Sequence, residues 1–454
     1  MRPVEAEAVE AHQPQFRPQA VRRSALAGAI GNLIEYYDFS VYGYVVVVIA
    51  PQFFPSDDPT TSTLLALAVF GTAFVPKLVG GVFFGWLGDR VSRRTALVSS
   101  VLCMGVAASV TGMLPTYHQI GVAAPALLVV TRLVQGFSTG GEAAGSITYV
   151  YESVPSRRRA VLGSLNYVGS NLGFVLAAII TGGVVALTSK EQMADWGWRI
   201  PFLVAVPLTL LCLWARLRLE DTPEFTEAAR RSSLPNAPVR EAIATHRKAV
   251  AQVVGVMIAQ SGCMFLALTY LNIYLSNELN YSAELVQWLS ALAGLAGVVL
   301  MVPAGWLAGR YGPRRVLLVG FLGMLVIVYP AMLMMGRNNL ALAGVGQVVV
   351  MMWGAIIQAP VAVLFPRLFE RRVRFSGMAL GYNIGTVLAG GTGPYIAAYL
   401  VAATGNVQSP SFCVMAVCAI GIGSLLTIKK TVDKEYLHSS LQVGMDRTGS
   451  IAEH

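Results

Sequence analysis

The sequence predicts an all-α integral membrane protein: twelve transmembrane helices in two six-helix halves related by a pseudo-twofold axis. Hydrophobic residues make up 55% of the 454 residues and charged residues 13%, with a mean hydropathy of +0.60. Soluble domains carry about twice that charge. Apolar stretches long enough to cross a bilayer recur along the chain, and strings from the first half return in the second. The composition excludes a soluble enzyme.

Apolar windows between charged or Pro- and Gly-rich breaks predict the twelve spans, which we number one to twelve in chain order. They lie near residues 25–50, 64–88, 95–115, 121–150, 160–187, 200–216, 249–276, 284–308, 316–336, 340–365, 376–403 and 411–428. We therefore expect five segments: a cytoplasmic N-terminal tail (1–24), a six-helix bundle (25–216), a cytoplasmic linker (217–248), a second six-helix bundle (249–428) and a cytoplasmic C-terminal tail (429–454).

The distribution of the basic residues predicts the orientation. All but five of the 33 lysines and arginines fall in the tails and in alternate loops, with Arg216 counted among the cations of the linker. The positive-inside rule then places both termini in the cytoplasm of a multi-pass protein of the cell (plasma or inner) membrane. Because the net charge of +9 comes from loop clusters rather than a basic helix or strand, we expect no nucleic-acid partner. Residues 1–24 lack an apolar h-region, so we expect no cleavable signal.

Two pairs of matching strings indicate an internal repeat. Gly85-Trp-Leu-Gly-Asp-Arg-Val-Ser-Arg-Arg94 returns as Gly305-Trp-Leu-Ala-Gly-Arg-Tyr-Gly-Pro-Arg-Arg315. Asn171-Leu-Gly-Phe-Val-Leu-Ala177 returns as Asn383-Ile-Gly-Thr-Val-Leu-Ala389 at nearly the same spacing. Each match lies in the corresponding loop or span of its half. This pattern is typical of parallel repeats related by an axis along the membrane normal.

Several function classes lack their residues. The five cysteines all lie inside apolar runs without a CxxC pair, so we interpret them as small buried hydrophobes, and we expect no metal site. No GxxxxGK[ST] loop exists, which disfavours ATP-driven uptake; Gly80, Gly81, Gly140 and Gly141 are expected to permit close helix contact instead. A membrane-embedded enzyme would need a metal cluster or nucleophile constellation, and none is present, so we expect no catalytic residue and no cofactor beyond a proton gradient.

At this point the strings resemble a known family. The Gly85–Arg94 loop is similar to a signature of the major facilitator superfamily, and Arg132-Leu-Val-Gln-Gly136 to its second motif. Six further strings together resemble the metabolite:proton symporter family. They are Gly31-Asn-Leu-Ile-Glu-Tyr-Tyr-Asp-Phe-Ser-Val-Tyr-Gly43, Phe54-Pro-Ser-Asp-Asp-Pro59, Arg132-Leu-Val-Gln-Gly-Phe-Ser-Thr-Gly-Gly-Glu142, Trp196-Gly-Trp-Arg-Ile-Pro-Phe202, Glu220-Asp-Thr-Pro-Glu-Phe225 and Arg374-Phe-Ser-Gly-Met-Ala-Leu-Gly-Tyr-Asn383.

The resemblance implies proton-driven uptake of an organic acid such as citrate, 2-oxoglutarate or shikimate, or of a zwitterion such as proline or betaine. Three departures qualify it. Gly309 stands where the repeat leads us to expect Asp, so the inner charge network is expected to be one-sided. Lys77 replaces an expected Arg, which exchanges a bidentate fork for a point charge. The tail after Lys430 has no sustained heptad, so the coiled coil of some osmolyte-carrying relatives is expected to be absent.

Charges inside the predicted spans mark a polar pathway, since each costs roughly 2.5–3.5 kcal/mol at bilayer depth. They are Glu35, Asp38, Lys77, Arg132 and Glu142, with three acids against two bases. Glu35, Asp38 and Tyr42 share one face of span one. Two acids so close repel each other when both are ionised, which favours a proton on one of them. The histidines all lie in tails or loops, so we expect Glu35, Asp38 and Glu142 to carry proton coupling; the alternative is that the carboxylates only bridge neighbouring helices.

The two interior cations are candidate substrate ligands. Arg132 suits a substrate carboxylate, and a structural ion pair with Glu35 or Asp38 is the alternative. Lys77 is either a substrate anchor or an interhelical partner. Glu142 faces either the cavity or a neighbouring backbone. We expect an anionic substrate group to displace a carboxylate from its cation, and the released carboxylate to bind a proton, so that substrate and proton bind cooperatively.

The inner loop is expected to form a gate. The resemblance implies that Asp89 faces the N-terminus of span eleven, where the helix dipole favours an anion, and that Arg93 pairs with Glu152. Arg90 belongs to the same signature, although a positive-inside anchor explains it equally well. In the second half, uncharged side chains are candidates for substrate contact, and we expect two of them to reach the substrate. They are Gln260, Tyr270, Tyr274, Trp353, Gln358 and Asn383, with Tyr42 from the first half.

The predicted function is proton-coupled uptake, or symport, of a small organic acid or zwitterionic metabolite by alternating access. The expected partners are the substrate, the proton and the lipid bilayer, and the expected state is a monomer. A proton-coupled exporter of a metabolite or drug with the same fold is the alternative, disfavoured by the interior cations Lys77 and Arg132. A channel is disfavoured by the repeat and the gate loops.

Overall fold

The protein is described by a computed structural model that covers residues 18–231, 234–337, 339–434 and 436. The predicted tails therefore lie outside the described residues at 1–17 and 437–454, and the heptad prediction for the C-terminal tail falls largely there. Every span is helical. Their bounds are Pro18–Phe53, Thr61–Arg90, Arg93–Met113, Ala123–Ser153, Arg159–Leu187, Arg199–Leu217, Arg247–Phe265 with extensions to Glu278, Ala283–Tyr311, Pro313–Met335, Leu340–Arg367, Arg374–Thr386 continued by Gly393–Thr404, and Ser409–Thr427.

Among the described residues, ten helices are long and apolar enough to cross a bilayer. Spans four and eleven complete the twelve. Ala123–Ser153 carries Arg132, Glu142 and Glu152 among small polar residues, and a π-helical turn at Val387–Gly391 divides span eleven. The charged and small polar residues lower the mean hydropathy of span four. The π-helical turn divides span eleven into two shorter helices, although the chain still continues through both.

The outer surface of the helices is apolar while polar side chains point inward. Leu187, Val299 and Val122 are 87%, 71% and 72% exposed, whereas Glu35, Arg132 and Glu142 are 4%, 1% and 1% exposed. This reverses the pattern of a soluble protein, because a lipid-facing surface has no water to hydrate charged groups.

Local signals place the helix ends close to the predicted boundaries. The Ser92 side chain accepts a hydrogen bond from Thr95 N at 2.9 Å and starts span three. Gly312, with φ +97°, ends span eight, and Gly405, with φ +65°, ends span eleven. Span one begins at Pro18 instead of residue 25, since basic residues such as Arg22 are tolerated in the turns outside the hydrocarbon.

The two halves meet along two symmetric seams. Span five packs against span eight, and span eleven packs against span two. The repeat makes span eight the counterpart of span two and span eleven the counterpart of span five. The linker runs along one face of the bundle and forms two short helices, Pro223–Arg230 and Pro238–Thr245. We call this face, where span one begins and span twelve ends, the terminal face, and the opposite one the far face.

Close helix approach in the first half depends on glycines, as the sequence predicts. A Cβ atom at Gly140 would lie 2.3 Å from Lys77 O, and one at Gly80 would lie 1.8 Å from Phe137 O. Both contacts are far inside van der Waals distance. Spans two and four therefore touch backbone to backbone, which brings Lys77 to the middle of the bundle, and the prediction of close contact is confirmed.

Candidate functional site

A buried ion pair joins spans one and two at the centre of the first half. Lys77 Nζ donates to Glu35 Oε1 at 3.2 Å, with side-chain exposures of 11% and 4%. The second oxygen, Glu35 Oε2, is buried and has no hydrogen-bond partner among the described residues. A buried oxygen without a donor is costly, so this carboxyl group is poised to gain a proton or a new donor. Of the two alternatives for Lys77, the structure shows the interhelical pair.

Glu142 lies in a different environment from the one predicted. Its carboxylate accepts hydrogen bonds from Arg216 Nη1 at 2.8 Å, from Arg216 Nη2, and from Ser100 Oγ at 2.9 Å. A Cβ at Gly31 would collide with both partners, so a glycine is needed beside the pair. Glu142 is thus fully paired and does not line the central cavity described below, so its partners are neither of the two predicted alternatives, the cavity and a neighbouring backbone. Its role in proton coupling stays a prediction.

Arg216 corrects the predicted count of interior charges. The sequence groups it with the cytoplasmic linker, yet it is 1% exposed. Side chains of a helix point toward its N-terminus, and span six begins at the far face. The guanidinium at the end of span six is therefore directed back into the bundle. With Arg216 included, the interior of the first half holds three acids and three bases instead of an acidic excess.

Asp38 and Arg132 lie toward the far face from Glu35 and interact without a direct bond. Asp38 Oδ1 accepts a hydrogen bond from Gln135 Nε2 at 3.0 Å. Arg132 Cζ lies 3.9 Å from the ring centroid of Tyr42, and its Nε and Nη2 have no partner among the described residues. The ion pair of Arg132 with Glu35 or Asp38, one predicted alternative, is not formed within 4 Å among the described residues.

A small cavity lies between the two halves, and Tyr36, the residue that follows Glu35, lines it. Its volume is about 20 Å³, enough for roughly one water molecule. Side chains of spans one, five, seven, ten and eleven line it. They are Tyr36, Ser170, Asn171, Phe174, Gln260, Ser261, Met264, Phe265, Gln358 and Thr386. The polar lining from both halves makes this cavity the candidate substrate site, because polar side chains at bilayer depth often mark a substrate pathway.

Two of the six second-half candidates line this cavity. Gln358 Nε2 donates to Met264 Sδ at 2.9 Å, while Gln260 Oε1 is buried without a donor among the described residues. Asn383 instead joins the halves, since its Nδ2 donates to Gly140 O at 2.7 Å. Of the six second-half candidates, Gln260 and Gln358 are therefore the two that line the cavity.

The other aromatic candidates do not line this cavity, and their contact with substrate stays a prediction. Tyr42 donates to Ala66 O at 2.8 Å and packs beneath Arg132. Trp353 packs against Gly323 of span nine. Tyr270 lines a separate pocket between spans seven, eleven and twelve, and Tyr274 is in the apolar core. Each is at a helical position next to a plausible cavity face, but the rotation of its helix turns it toward a neighbour within the same half.

Sequence reasoning missed the aromatic groups that border the cavity. Tyr36 and Phe174 have ring centroids 5.3 Å apart, and Phe265 lines the same space. Toward the far face, Phe265 lies 6.4 Å from Phe39 and 6.1 Å from Phe74 in edge-to-face contacts. These rings cross from one half to the other and cover the cavity. The sequence makes other tyrosines and a tryptophan candidates, and helical spacing alone does not show which rings face the cavity.

Three phenol groups also meet beside Glu35. Tyr382 of span eleven lies next to Tyr36 of span one and Tyr167 of span five, and both Tyr36 and Tyr382 interact electrostatically with Glu35. Tyr382 belongs to the string that carries the family resemblance, immediately before Asn383. The second half thus touches the surroundings of the Glu35 carboxyl group directly.

The terminal face is closed by a buried charge network. Asp89 accepts hydrogen bonds from Ser376 N at 2.8 Å and Phe375 N at 3.2 Å, at the first turn of span eleven. Arg93 binds Asp89 and also donates to Glu152 at 3.2 Å through both Nε and Nη2. These are the contacts that the resemblance implied: the Asp89 contacts join the two halves, and the Arg93–Glu152 pair lies within the first half.

Several partners extend this network beyond the predicted residues. Arg374 of span eleven donates from Nη1 to Glu152 at 2.9 Å and to Glu224 at 2.5 Å, and Thr222 Oγ1 donates to Glu152 at 2.6 Å. Arg90 is not part of it. Its guanidinium donates to Asn236 Oδ1 at 2.7 Å and fastens the linker to span two.

Models of known families match both halves. Residues 24–234 match the "Sugar (and other) transporter" model and residues 253–442 the "Major Facilitator Superfamily" model. The proline/betaine transporter of Escherichia coli (strain K12) is 33% identical over 91% of this chain and 84% of its own length. The glycine betaine/proline/ectoine/pipecolic acid transporter OusA of Dickeya dadantii (strain 3937) is 34% identical with the same two coverages.

Solved structures share the fold. The proton:xylose symporter XylE bound to 6-bromo-6-deoxy-D-glucose matches with a TM-score of 0.74 and 17% identity over 91% of this chain and 96% of that one. The human organic anion transporter MFSD10 matches with a TM-score of 0.63 and 16% identity over 91% of this chain and 100% of that one.

The fold and the central site define a secondary active transporter of twelve helices that works by alternating access. The chain belongs to the major facilitator superfamily and, within it, to the metabolite:proton symporter family. It is a membrane transporter.

Proposed function

We propose that this protein takes up a small zwitterion of the proline and betaine class together with a proton, and that Glu35 binds the proton. The supporting observation is the half-paired carboxylate of Glu35, with one oxygen on Lys77 and the other buried without a donor. The names of the relatives from Escherichia coli and Dickeya dadantii support the substrate class.

The coupling follows from competition for one cation. In the empty carrier, Lys77 holds Glu35 ionised. A substrate carboxylate that enters the cavity takes over the Lys77 ammonium group, and the released Glu35 is then a buried carboxylate with no cation. Burial disfavours the charged form, so Glu35 takes up a proton. Substrate and proton therefore stabilise each other's binding, as a positive coupling free energy requires.

The charge balance makes the loaded carrier more positive than the empty one. The ion pair of Glu35 and Lys77 is neutral. After loading, neutral Glu35, positive Lys77 and a neutral zwitterion sum to one positive charge. A membrane potential, negative inside, therefore drives the loaded carrier inward, worth about 2.3 kcal/mol per 100 mV.

The cavity lining fits the cationic end of such a substrate. Tyr36, Phe174 and Phe265 present ring faces and edges around the space, and rings of this kind attract a quaternary or secondary ammonium group. The amides of Gln260 and Gln358 supply the remaining polar contacts. The present volume of about 20 Å³ is too small for the substrate, so the site must widen when either face opens.

Alternating access uses the two closures on either side of the cavity. The charge network of Asp89, Arg93, Glu152 and Arg374 closes the terminal face, and the rings of Phe39, Phe74 and Phe265 cover the other side. Both closures connect the two halves, so relative rotation of the halves opens one while the other stays shut.

The remaining properties belong to the same proposal. The terminal face is the cytoplasmic one, with both chain termini inside the cell and the protein in the plasma or inner membrane; the basic loops support this orientation. The protein works as a monomer, needs no cofactor other than the proton gradient, and catalyses no chemical conversion. The family models and the named relatives, all of them transporters, support the last of these points.

The test is transport by purified protein in proteoliposomes. Labelled proline and glycine betaine should accumulate when the outside is acidic and the inside negative, and a protonophore should abolish accumulation but not counterflow. Citrate, 2-oxoglutarate and shikimate serve as competitors. Accumulation of an acid but not of either zwitterion would reject the substrate class. Efflux of substrate driven by protons that move in the opposite direction would favour the alternative function, a proton-coupled exporter.

A further inference from the structure

The chain continues past span twelve and folds back onto the terminal face. Span twelve ends at Thr427, and the next described residues form a short helical segment that includes Asp433 and Tyr436. Both side chains are only 1% exposed. Side chains just beyond a membrane helix are normally solvated, so this burial indicates a specific docking position. We call residues 429–434 and 436 the C-terminal segment.

Asp433 fastens the segment to the second half. Its Oδ1 accepts a hydrogen bond from Arg314 N at 3.0 Å, and its Oδ2 lies 4.0 Å from Arg315 Nε. A Cβ at Gly312 would lie 2.6 Å from the Asp433 carboxyl carbon. Burial raises the pKa of Asp433, while the two arginines oppose that rise. The loop between spans eight and nine therefore holds the Asp433 carboxylate in place.

Tyr436 then reaches across the boundary between the halves. Its ring packs in one cluster with Tyr151 and Ala160 of the first half and with Ala308 and Val363 of the second. Arg367 Cζ lies 5.1 Å from the ring centroid. A single side chain thus touches both bundles on the face where they must separate if the site is to open toward the terminal side.

The position of Tyr436 is explained by the repeat. In the first half, Asp89 reaches from the loop after span two to the start of span eleven. In the second half, the corresponding position is Gly309, which has no side chain to reach the start of span five. A Cβ at Gly309 would lie 3.4 Å from Ala160 and 3.9 Å from the Tyr436 hydroxyl. Tyr436 fills the place that a second gate carboxylate would occupy.

We infer that Tyr436, held by Asp433, is a positioning residue that forms the second closure of the terminal face in place of the absent carboxylate at Gly309. Because Asp433 is anchored to the second half, Tyr436 moves with that half. Opening the terminal face therefore requires the ring to leave Tyr151 and Ala160. The segment biases the empty carrier toward the state that is open on the far face. This inference is independent of the substrate.

Hydrogen–deuterium exchange of the purified full-length protein tests the inference without any ligand. In Tyr436→Ala, we expect amides at the ends of spans four and ten and the starts of spans five and eleven to exchange roughly tenfold faster, the size of effect that truncating a central interface aromatic produces. Amides of the far-face loops should become more protected in the same sample, because the two faces open alternately. Tyr436→Phe keeps the ring packing and loses only the interaction of the hydroxyl with the Ala160 backbone, so its exchange should increase less than that of Tyr436→Ala.

A second variant covers the case in which Tyr436→Ala is merely unstable. Gly312→Ala should displace Asp433 and reproduce the opposite changes on the two faces. Gly405→Ala is its matched control: it also forces an alanine into a positive φ, but no atom lies within 4 Å of the added carbon. Faster exchange on both faces, or unchanged exchange in Tyr436→Ala and Gly312→Ala, would overturn the inference.

Discussion

Lys77 Nζ lies 3.2 Å from Glu35 Oε1, while Glu35 Oε2 is buried without a hydrogen-bond donor among the described residues. In Glu142, by contrast, both carboxylate oxygens accept hydrogen bonds, from Arg216 and Ser100. The two acidic residues thus differ in the completeness of their partners, and this difference distinguishes the carboxylate that can exchange its partner from the one that cannot.

Replacing Glu35 with glutamine separates transport from proton coupling. In Glu35→Gln, the amide cannot bind the transported proton, so accumulation driven by an acidic exterior should fall to the level reached by equilibration. Counterflow should persist, because the carrier still alternates. The measurement is labelled proline or glycine betaine in proteoliposomes, with and without a pH gradient. Glu191→Gln, at an exposed far-face position, is the control. Persistent uphill accumulation in Glu35→Gln would exclude Glu35 as the proton site.

Replacing Glu142 should affect stability and leave coupling intact. In Glu142→Gln, Arg216 becomes a buried cation without a carboxylate, which costs about 3–5 kcal/mol. We expect a lower thermal unfolding temperature in detergent, while the protein that remains folded keeps the pH dependence of uptake. The variant Arg216→Gln should lose a similar amount, and the double variant less than the sum of the two. A shifted pH profile in Glu142→Gln would return Glu142 to the coupling mechanism.

The close contact of spans two and four can be tested with a pair of glycines. Gly140→Ala pushes a methyl group to within 2.3 Å of Lys77 O. Separation of the two backbones should destabilise the protein by about 1–3 kcal/mol and move Lys77 away from Glu35. Gly43→Ala, in span one with no atom within 4 Å of the new carbon, should be neutral or slightly stabilising. Melting temperatures and transport of both variants give the comparison, and equal melting temperatures would contradict the packing argument.

The Asp89 contacts should hold the terminal face closed. Asp89→Ala removes the acceptor of Ser376 N, Phe375 N and Arg93, which costs about 1–3 kcal/mol, so fewer carriers remain open toward the far face. The apparent affinity for substrate added on the far face falls in proportion to the fraction of carriers that no longer open there. KM for external substrate should therefore rise roughly fivefold or more. Asp58→Ala is the control, because Asp58 also accepts from a helix N-terminus (Thr61 N, 3.1 Å) but lies exposed on the far face. An unchanged KM in Asp89→Ala would remove it from the gate.

The same residues show where reasoning from sequence succeeds. The span positions and the repeat depend on hydrophobic periodicity and on repeated strings, both of which are local. The expected partners of Asp89 and Arg93 are what the family resemblance implied. The position of Arg216 could not be predicted in this way. Arg216 ends an apolar run, which is the usual position of a loop cation. Helical side chains tilt toward the N-terminus of their helix, however, and this tilt directs the Arg216 guanidinium toward Glu142.

The residues that line the central cavity could also be predicted only in part from the sequence. Gln260 and Gln358 reach it, whereas Tyr270, Tyr274 and Trp353 face neighbours within their own half. Helical spacing defines which residues share a face, but it does not specify which neighbour that face meets. The rings of Tyr36, Phe174 and Phe265 escaped notice because apolar aromatic residues in a membrane helix give no signal of their own.

The sequence alone determined that this chain lies in lipid, crosses it twelve times, repeats itself, and carries acids and bases at bilayer depth, since each of these follows from local composition and spacing. The tertiary structure decided which charges are paired: Glu35 with Lys77, Glu142 with Arg216, and Asp433 with the loop of Arg314. Pairing depends on the rotation and depth of helices that are far apart in the chain, and packing between backbones, as at Gly140, sets both.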